Sequence, residues 1–224
     1  MDTYFDETKK RLEENIPDYD TPEFKKMRDK IKKELSKKEN DFLILIRKLK
    51  ILVLGDWFNE QKRALLTGIK TNLLRSGLYA ETIDKYYDMN KKDGLSQIQI
   101  FESCCINHQL IVFIDGEGAG TITEQNYLRE YYALMGKVLF FIKESKFNEL
   151  KNNPNEYIKD FPTIIEYKNE EELLEKTLVY SRFRLYRLAS IIQKQLSTGT
   201  GMYGIDYVPW RDRLKKVMGK GFKR

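Results

Sequence analysis

Two carboxylates in one short segment carry the clearest chemical potential of this chain. Asp115 and Glu124 fall within LIVFIDGEGAGTITE, residues 110–124, around a turn that contains Gly116, Gly118 and Gly120. An acid where an apolar strand emerges can orient a hydroxyl or activate water. A second acid at the start of the following helix can stabilise or trap positive charge developing at a sugar carbon. The glycines let the backbone turn tightly and approach a ligand. Thr121 or Thr123 is suited to cap the helix, which would set Glu124 in its first turn, with free N–H groups facing an anion or ribose hydroxyls. A plainer role for Glu124 stands beside this one: a helix-terminal acid that complements the dipole or completes a cap with Thr121. Glu117 is either a helper in the same chemistry or a solvated turn residue.

A second candidate segment follows KILVL: Gly55, Asp56, Trp57 and Phe58. The two aromatics can stack on a base or serve as packing. Neither segment is a P-loop, because GxxxxGK[ST] is missing, and Gly116-Gly118-Gly120 does not complete GxGxxG, since Thr121 stands at the last glycine. Hydride transfer on a dinucleotide is therefore disfavoured. The single histidine, His108, excludes a multi-histidine metal site, and the adjacent Cys104 and Cys105 have no metal-ligand spacing. No metal and no cofactor is expected.

These residues need a scaffold that brings separate loops together. KILVL, LIVFI and VLFFIK are near-continuous apolar runs of the kind buried on both faces of a parallel sheet, with shorter strands expected over 78–83 and 163–167. Helical periodicity separates them: residues 60–77 ending at Gly77, 122–135, and a long helix from about residue 169 to 196. SQIQIFES reads as helix by its spacing and as strand by its alternation. YYDMNKKDG reads as a polar loop, and 147–160 as a turn-rich insertion. The pattern predicts an α/β fold, a flavodoxin-like or Rossmann-like five-stranded parallel sheet of order 2-1-3-4-5, with helical N- and C-terminal extensions. In that order the turns after Gly55 and Asp115 converge at the switch point between strands one and three.

The segments LGDWFN and FESCCINHQLIVFIDGEGAGTITEQNYLREYYALMGKVLFFIKE resemble the nucleoside 2-deoxyribosyltransferase-like superfamily. They are also similar to TIR-like nucleotide hydrolases and, through GxGTxxE, to lysine-decarboxylase-like phosphoribohydrolases. The resemblance spans residues 50–167. It implies an enzyme that hydrolyses or transfers the N-glycosidic bond of a nucleoside, nucleotide or NAD-like molecule, with Glu124 acting at the anomeric carbon and Asp115 assisting. It further implies that Gly116, Glu117, Gly118, Gly120, Thr121 and Thr123 hold ribose, phosphate or base, and that Gly55, Asp56, Trp57 and Phe58 form the opposite wall. The alternative is a noncatalytic nucleotide-binding or assembly protein.

Composition bounds the remainder. The 224 residues, 41% hydrophobic with 12% aromatic, suffice for one principal domain with extensions. We expect residues 1–49 as a helical extension, 50–196 as the α/β domain and 197–224 as a basic tail. No apolar run approaches the ~20 residues of a membrane helix, and no signal-peptide core precedes the first helix. A reducing, cytoplasmic setting is expected, without membrane association. Phe24, Met27, Ile31 and Leu35 form one face of an N-terminal helix, suited to packing or to a homo-oligomer contact. The net charge of +6 is uneven: residues 181–224 hold eleven Lys and Arg against Asp206 and Asp212, or +9, leaving −3 elsewhere. Trp210 among Arg211, Arg213, Lys215 and Lys216 suits a nucleic-acid backbone, a protein partner, or no more than a solvated basic surface.

Overall fold

The computed structural model describes residues 10, 11, 14, 21–90, 94–151 and 160–198. The expected basic tail from residue 199 onward and most of the 147–160 insertion lie outside these residues. The chain divides into units of residues 1–44 and 45–224, so the boundary falls a few residues before the expected 49. The first unit holds most of helix α1 (Pro22–Lys48), entered where Thr21 Oγ1 accepts from the Phe24 amide at 3.3 Å. Met27, Ile31 and Leu35 are exposed along it.

The second unit alternates strand and helix: β1 (Lys50–Leu54), α2 (Glu60–Arg75), β2 (Tyr79–Thr82), α3 (Asp84–Asn90), α4 (Gln97–Asn107), β3 (Leu110–Ile114), α5 (Ala119–Glu130), α6 (Tyr132–Met135), β4 (Val138–Lys143), α7 (Glu144–Leu150), β5 (Ile164–Tyr167) and α8 (Glu170–Thr198). The five strands pair in parallel in the order β2-β1-β3-β4-β5, with Val53 opposite Val112, Phe113 opposite Phe140 and Phe140 opposite Ile164. This is the flavodoxin-like order, and its switch point lies between β1 and β3.

Burial on both faces explains the unbroken apolar runs. Alternate residues Leu52, Leu54, Ile111, Phe113, Phe140 and Ile142 join Phe101, Cys104, Cys105 and Leu128 in one core layer. Phe140 stacks on Phe113 at 5.5 Å and on Phe161 at 4.4 Å between ring centroids. Helices α2 and α8 pack together with the strands. Both cysteines are buried free thiols, raised by burial, so they behave as small core residues.

Local chemistry fixes the boundaries. Asn59 caps α2 by accepting from the Gln61 amide at 2.9 Å, and Gly77, at φ +80°, turns the chain out of that helix while the Leu78 amide returns to the Leu73 carbonyl. Ser96 and Gln99 form a reciprocal capping box, so SQIQIFES is helix despite its alternation. The expected helix 122–135 begins earlier and is divided. It starts at Ala119, has Gly118 as its N-cap without a side-chain cap, and breaks at Tyr131. Glu124 therefore sits in the second turn. Among the described residues no helix is long and apolar enough to cross a membrane.

Candidate functional site

The two candidate loops do meet, and they meet around Asp56. A Cβ on Gly116 would lie 3.0 Å from Asp56 Cβ, and one on Gly118 would lie 2.9 Å from Asp56 Oδ1. The glycines are thus required by a side chain of the protein itself, which fills the space beside them. Asp56 accepts from the Phe58 amide at 3.2 Å, from Lys62 Nζ at 3.0 Å and from the Gly118 amide. Burial pushes its carboxyl up, but these bonds outweigh burial and hold it below the ordinary range. Gly55 has a packing cause as well: its Cβ would lie 3.2 Å from the Ile114 carbonyl oxygen and 3.0 Å from Leu66 Cδ2.

Asp115 emerges from β3 as expected and pairs with Lys146 Nζ at 2.6 Å. Asp56, Asp115, Gly116 and Glu117 line a cleft of about 690 Å³ at the carboxyl edge of the sheet, with Lys62 and Lys146 across from them. Lys143 and Lys168 complete its cationic side, and Glu149 and Glu170 add further acids. Gly55, Trp57, Phe58, Gly118, Gly120, Thr121 and Thr123 are outside this lining. Phe58 is 89% exposed, and Trp57 packs against the core.

Glu124 faces elsewhere. It lines a second pocket, about 110 Å³, with Tyr87 of α3, Gln97, Ile98 and Phe101 of α4, and Gly120, Thr123 and Tyr127 of α5. Asp115 and Glu124 therefore line different cavities, and the single crevice expected from sequence is two. The cause is the early start of α5: nine residues of turn and helix separate the end of β3 from Glu124, and the second turn of the helix directs that side chain toward α3 and α4. Thr121 is buried, and Thr123 donates to the Ala119 carbonyl at 2.9 Å, so neither threonine caps the helix.

The Glu124 carboxyl is the most perturbed acid of the described site. Its Oε1 accepts from Tyr87 Oη at 3.2 Å, while Oε2 is buried with no hydrogen-bond partner among the described residues. Burial raises the pKa to about 8, and the Tyr87 bond offsets only part of that. The carboxyl is consequently mostly protonated at neutral pH. Phe101 and Tyr127 meet edge to face at 5.5 Å and Tyr127 stacks on Tyr131 at 4.4 Å, giving the pocket a rigid aromatic wall.

Sequence reasoning missed Tyr87, Lys62 and Lys146. Tyr87 lay in a segment read as a polar loop, of which residues 86–90 instead belong to α3. The two lysines stand among many others in charged helices, and neither type nor spacing marks them. Among the described residues no group of three or more metal-binding side chains is present.

No family model matches the chain, and no curated protein matches it. Among solved structures, a conserved protein from Enterococcus faecalis V583 is similar at TM-score 0.38 and 16% identity, over 58% of this chain and 96% of its own. A diflavin flavoprotein A3 from Nostoc sp. is similar at TM-score 0.37 and 12% identity, over 64% of this chain and 94% of its own. Neither likeness bears on a residue of the site.

Proposed function

We propose that this chain cleaves an N-glycosidic bond of a nucleoside, nucleotide or NAD-like molecule, by hydrolysis or by transfer to another base, with Glu124 at the reaction centre. The observation that carries this reading is the buried Glu124 carboxyl, which lines an aromatic-walled pocket, is held by Tyr87 through one oxygen and has no hydrogen-bond partner among the described residues at the other. A neutral carboxyl can give its proton to the departing base nitrogen. The carboxylate left behind then faces the positively charged sugar carbon and stabilises it until water or a second base attacks. A pKa of about 8 suits such an acid, because the group is protonated before the step at neutral pH and its loss of the proton is easily accomplished.

The pocket, at about 110 Å³, is well below the roughly 300 Å³ at which sites for whole small molecules begin, so it admits one ring of the ligand. Tyr87, Phe101 and Tyr127 offer that ring stacking surfaces. The remainder of the ligand lies outside the pocket mouth, where Ile98 is 53% exposed. In this reading Asp115 has no catalytic step, since it belongs to the larger cleft.

The test is incubation of the full chain with a panel of nucleosides, nucleotides and NAD, followed by chromatographic detection of free base. Base release that Glu124→Gln lowers by about a hundredfold or more, with ligand binding retained, is the expected result. Binding without release would favour the noncatalytic nucleotide-binding protein. Neither binding nor release across the panel would end both readings.

A further inference from the structure

A third cavity, of about 340 Å³, lies at the opposite end of the sheet from Asp56 and Asp115, and its chemistry is unlike theirs. It opens where β3 and β4 begin, beneath the second half of α8. Its apolar part is Leu110, Leu185, Leu188 and Ile191, and its charged part is Lys137, Arg184 and Arg187, with no acidic residue in the lining. The carboxyl-edge cleft, by contrast, alternates lysines with five acids.

Two of the three cations are fixed by the fold. Lys137 is buried and donates to the carbonyls of Cys105 at 3.1 Å, Ile106 at 3.4 Å and His108 at 2.9 Å, so its ammonium is held at the carboxyl end of α4. Arg184 donates one N–H to the Gly136 carbonyl at 2.7 Å, which anchors its planar fork at the pocket wall and leaves further donors on the same group. Arg187 stands three residues on, at the exposed rim. Three positive charges beside four aliphatic side chains favour a ligand that brings a negative head and an apolar body together. A polar anion would leave the leucines uncovered, and a neutral hydrocarbon would leave the arginines unanswered.

We infer that this amino-edge pocket binds a carboxylate carrying an aliphatic body, with Arg184 and Arg187 on the carboxylate and Leu110, Leu185, Leu188 and Ile191 on the chain. A carboxylate is specified because the guanidinium fork matches its two oxygens in one plane. The volume falls within the usual range for small-molecule sites. Residues 199–224 of the same chain, with seven Lys and Arg against Asp206 and Asp212, share the sign of the pocket and are electrostatically unsuited to fill it. The inference is independent of the reaction proposed for Glu124.

Isothermal titration calorimetry of the full chain with octanoate tests it, with octanol, octylammonium and acetate as comparisons. Saturable one-to-one binding of octanoate is expected, at least about tenfold tighter than any of the three, because each supplies only part of the match. Arg187→Gln, at an exposed position, leaves the melting temperature unchanged and weakens octanoate about tenfold, and Leu188→Glu abolishes binding by placing a carboxylate in the pocket. No binding of octanoate, octanol binding as tightly as octanoate, or an Arg187→Gln variant with unchanged affinity would each overturn the assignment.

Discussion

Asp56 Oδ1 occupies the place a side chain on Gly118 would take: a Cβ there would stand 2.9 Å from that oxygen. The loop after β3 is thereby closed onto the loop after β1, and the N-cap residue of α5 is held by a carboxylate from that loop.

Gly118→Ala should therefore destabilise the protein. The contact is with a short side chain already committed to Lys62 and to the Phe58 amide, so Asp56 has little freedom to retreat. Overpacking of this kind costs about 1–3 kcal/mol, and urea unfolding monitored by circular dichroism would report it. Gly120→Ala, which meets nothing within 4 Å, serves as the comparison and should be close to neutral or slightly stabilising.

Glu124→Gln should stabilise the protein at alkaline pH and leave it nearly unchanged at acid pH. The sign follows from linkage: the folded pKa, about 8, is above the ordinary value of 4.5, so between those values the folded state holds the proton more tightly than the unfolded state. Stability is fully present below pH 4.5 and falls as pH rises through 8. Glutamine is uncharged throughout, so the variant loses this decline, a difference on the order of 5 kcal/mol at pH 8.5. Melting curves of both proteins from pH 5 to 9 that run parallel would show that the carboxyl is not buried as described. This measurement needs no substrate.

Tyr87→Phe moves the same group in the same direction as burial does. The hydroxyl donates to Oε1 and favours the ionised carboxyl, so its loss raises the Glu124 pKa further. If Glu124 is the proton donor, the alkaline limb of base release shifts to higher pH while the acid limb stays in place. A uniform loss of rate at every pH would assign Tyr87 a packing role only.

The architecture was legible because burial on both sheet faces writes itself into sequence as uninterrupted apolar runs. Leu52 and Val53, Val112 and Phe113, and Phe140 and Phe141 are completely buried despite pointing to alternating sides. Gly77 was legible at the end of α2 for a backbone reason, its positive φ. The site was harder to read, since glycine spacing reports that something comes close without saying what. Around Gly116 and Gly118 that neighbour is Asp56, and the same glycines would have served a ligand equally well. The direction of Glu124 depended on where α5 starts, and Gly118 begins it without a capping side chain whose type could have announced the boundary. His108 illustrates the same limit. Nothing in its type or position announces burial, yet it is completely buried, with Nδ1 2.7 Å from the Cys104 carbonyl oxygen.

Near His108 lies a polar cluster that supports a last prediction. Glu81 of β2 is buried and accepts from Tyr79 Oη at 2.9 Å, from Lys85 Nζ at 2.5 Å and from Tyr86 Oη, with His108 Nε2 3.5 Å away. Burial alone would raise its pKa, but the bonds from Lys85, Tyr86 and Tyr79 together prevail and bring it to about 2. A folded pKa below the unfolded value means stability that is present above about pH 4.5 and lost as pH falls toward 2. Burial also lowers the His108 pKa, so the ring stays neutral at neutral pH and leaves the favourable charge to Lys85. Glu81→Gln should therefore cost on the order of 2 kcal/mol at pH 7, chiefly through loss of charge-assisted bonds. The cost should shrink on acidification, because the wild type loses the same charge there. Chemical denaturation at pH 7 and pH 3 gives the two values, and a penalty that grows at pH 3 would contradict an ionised Glu81 at the centre of the cluster.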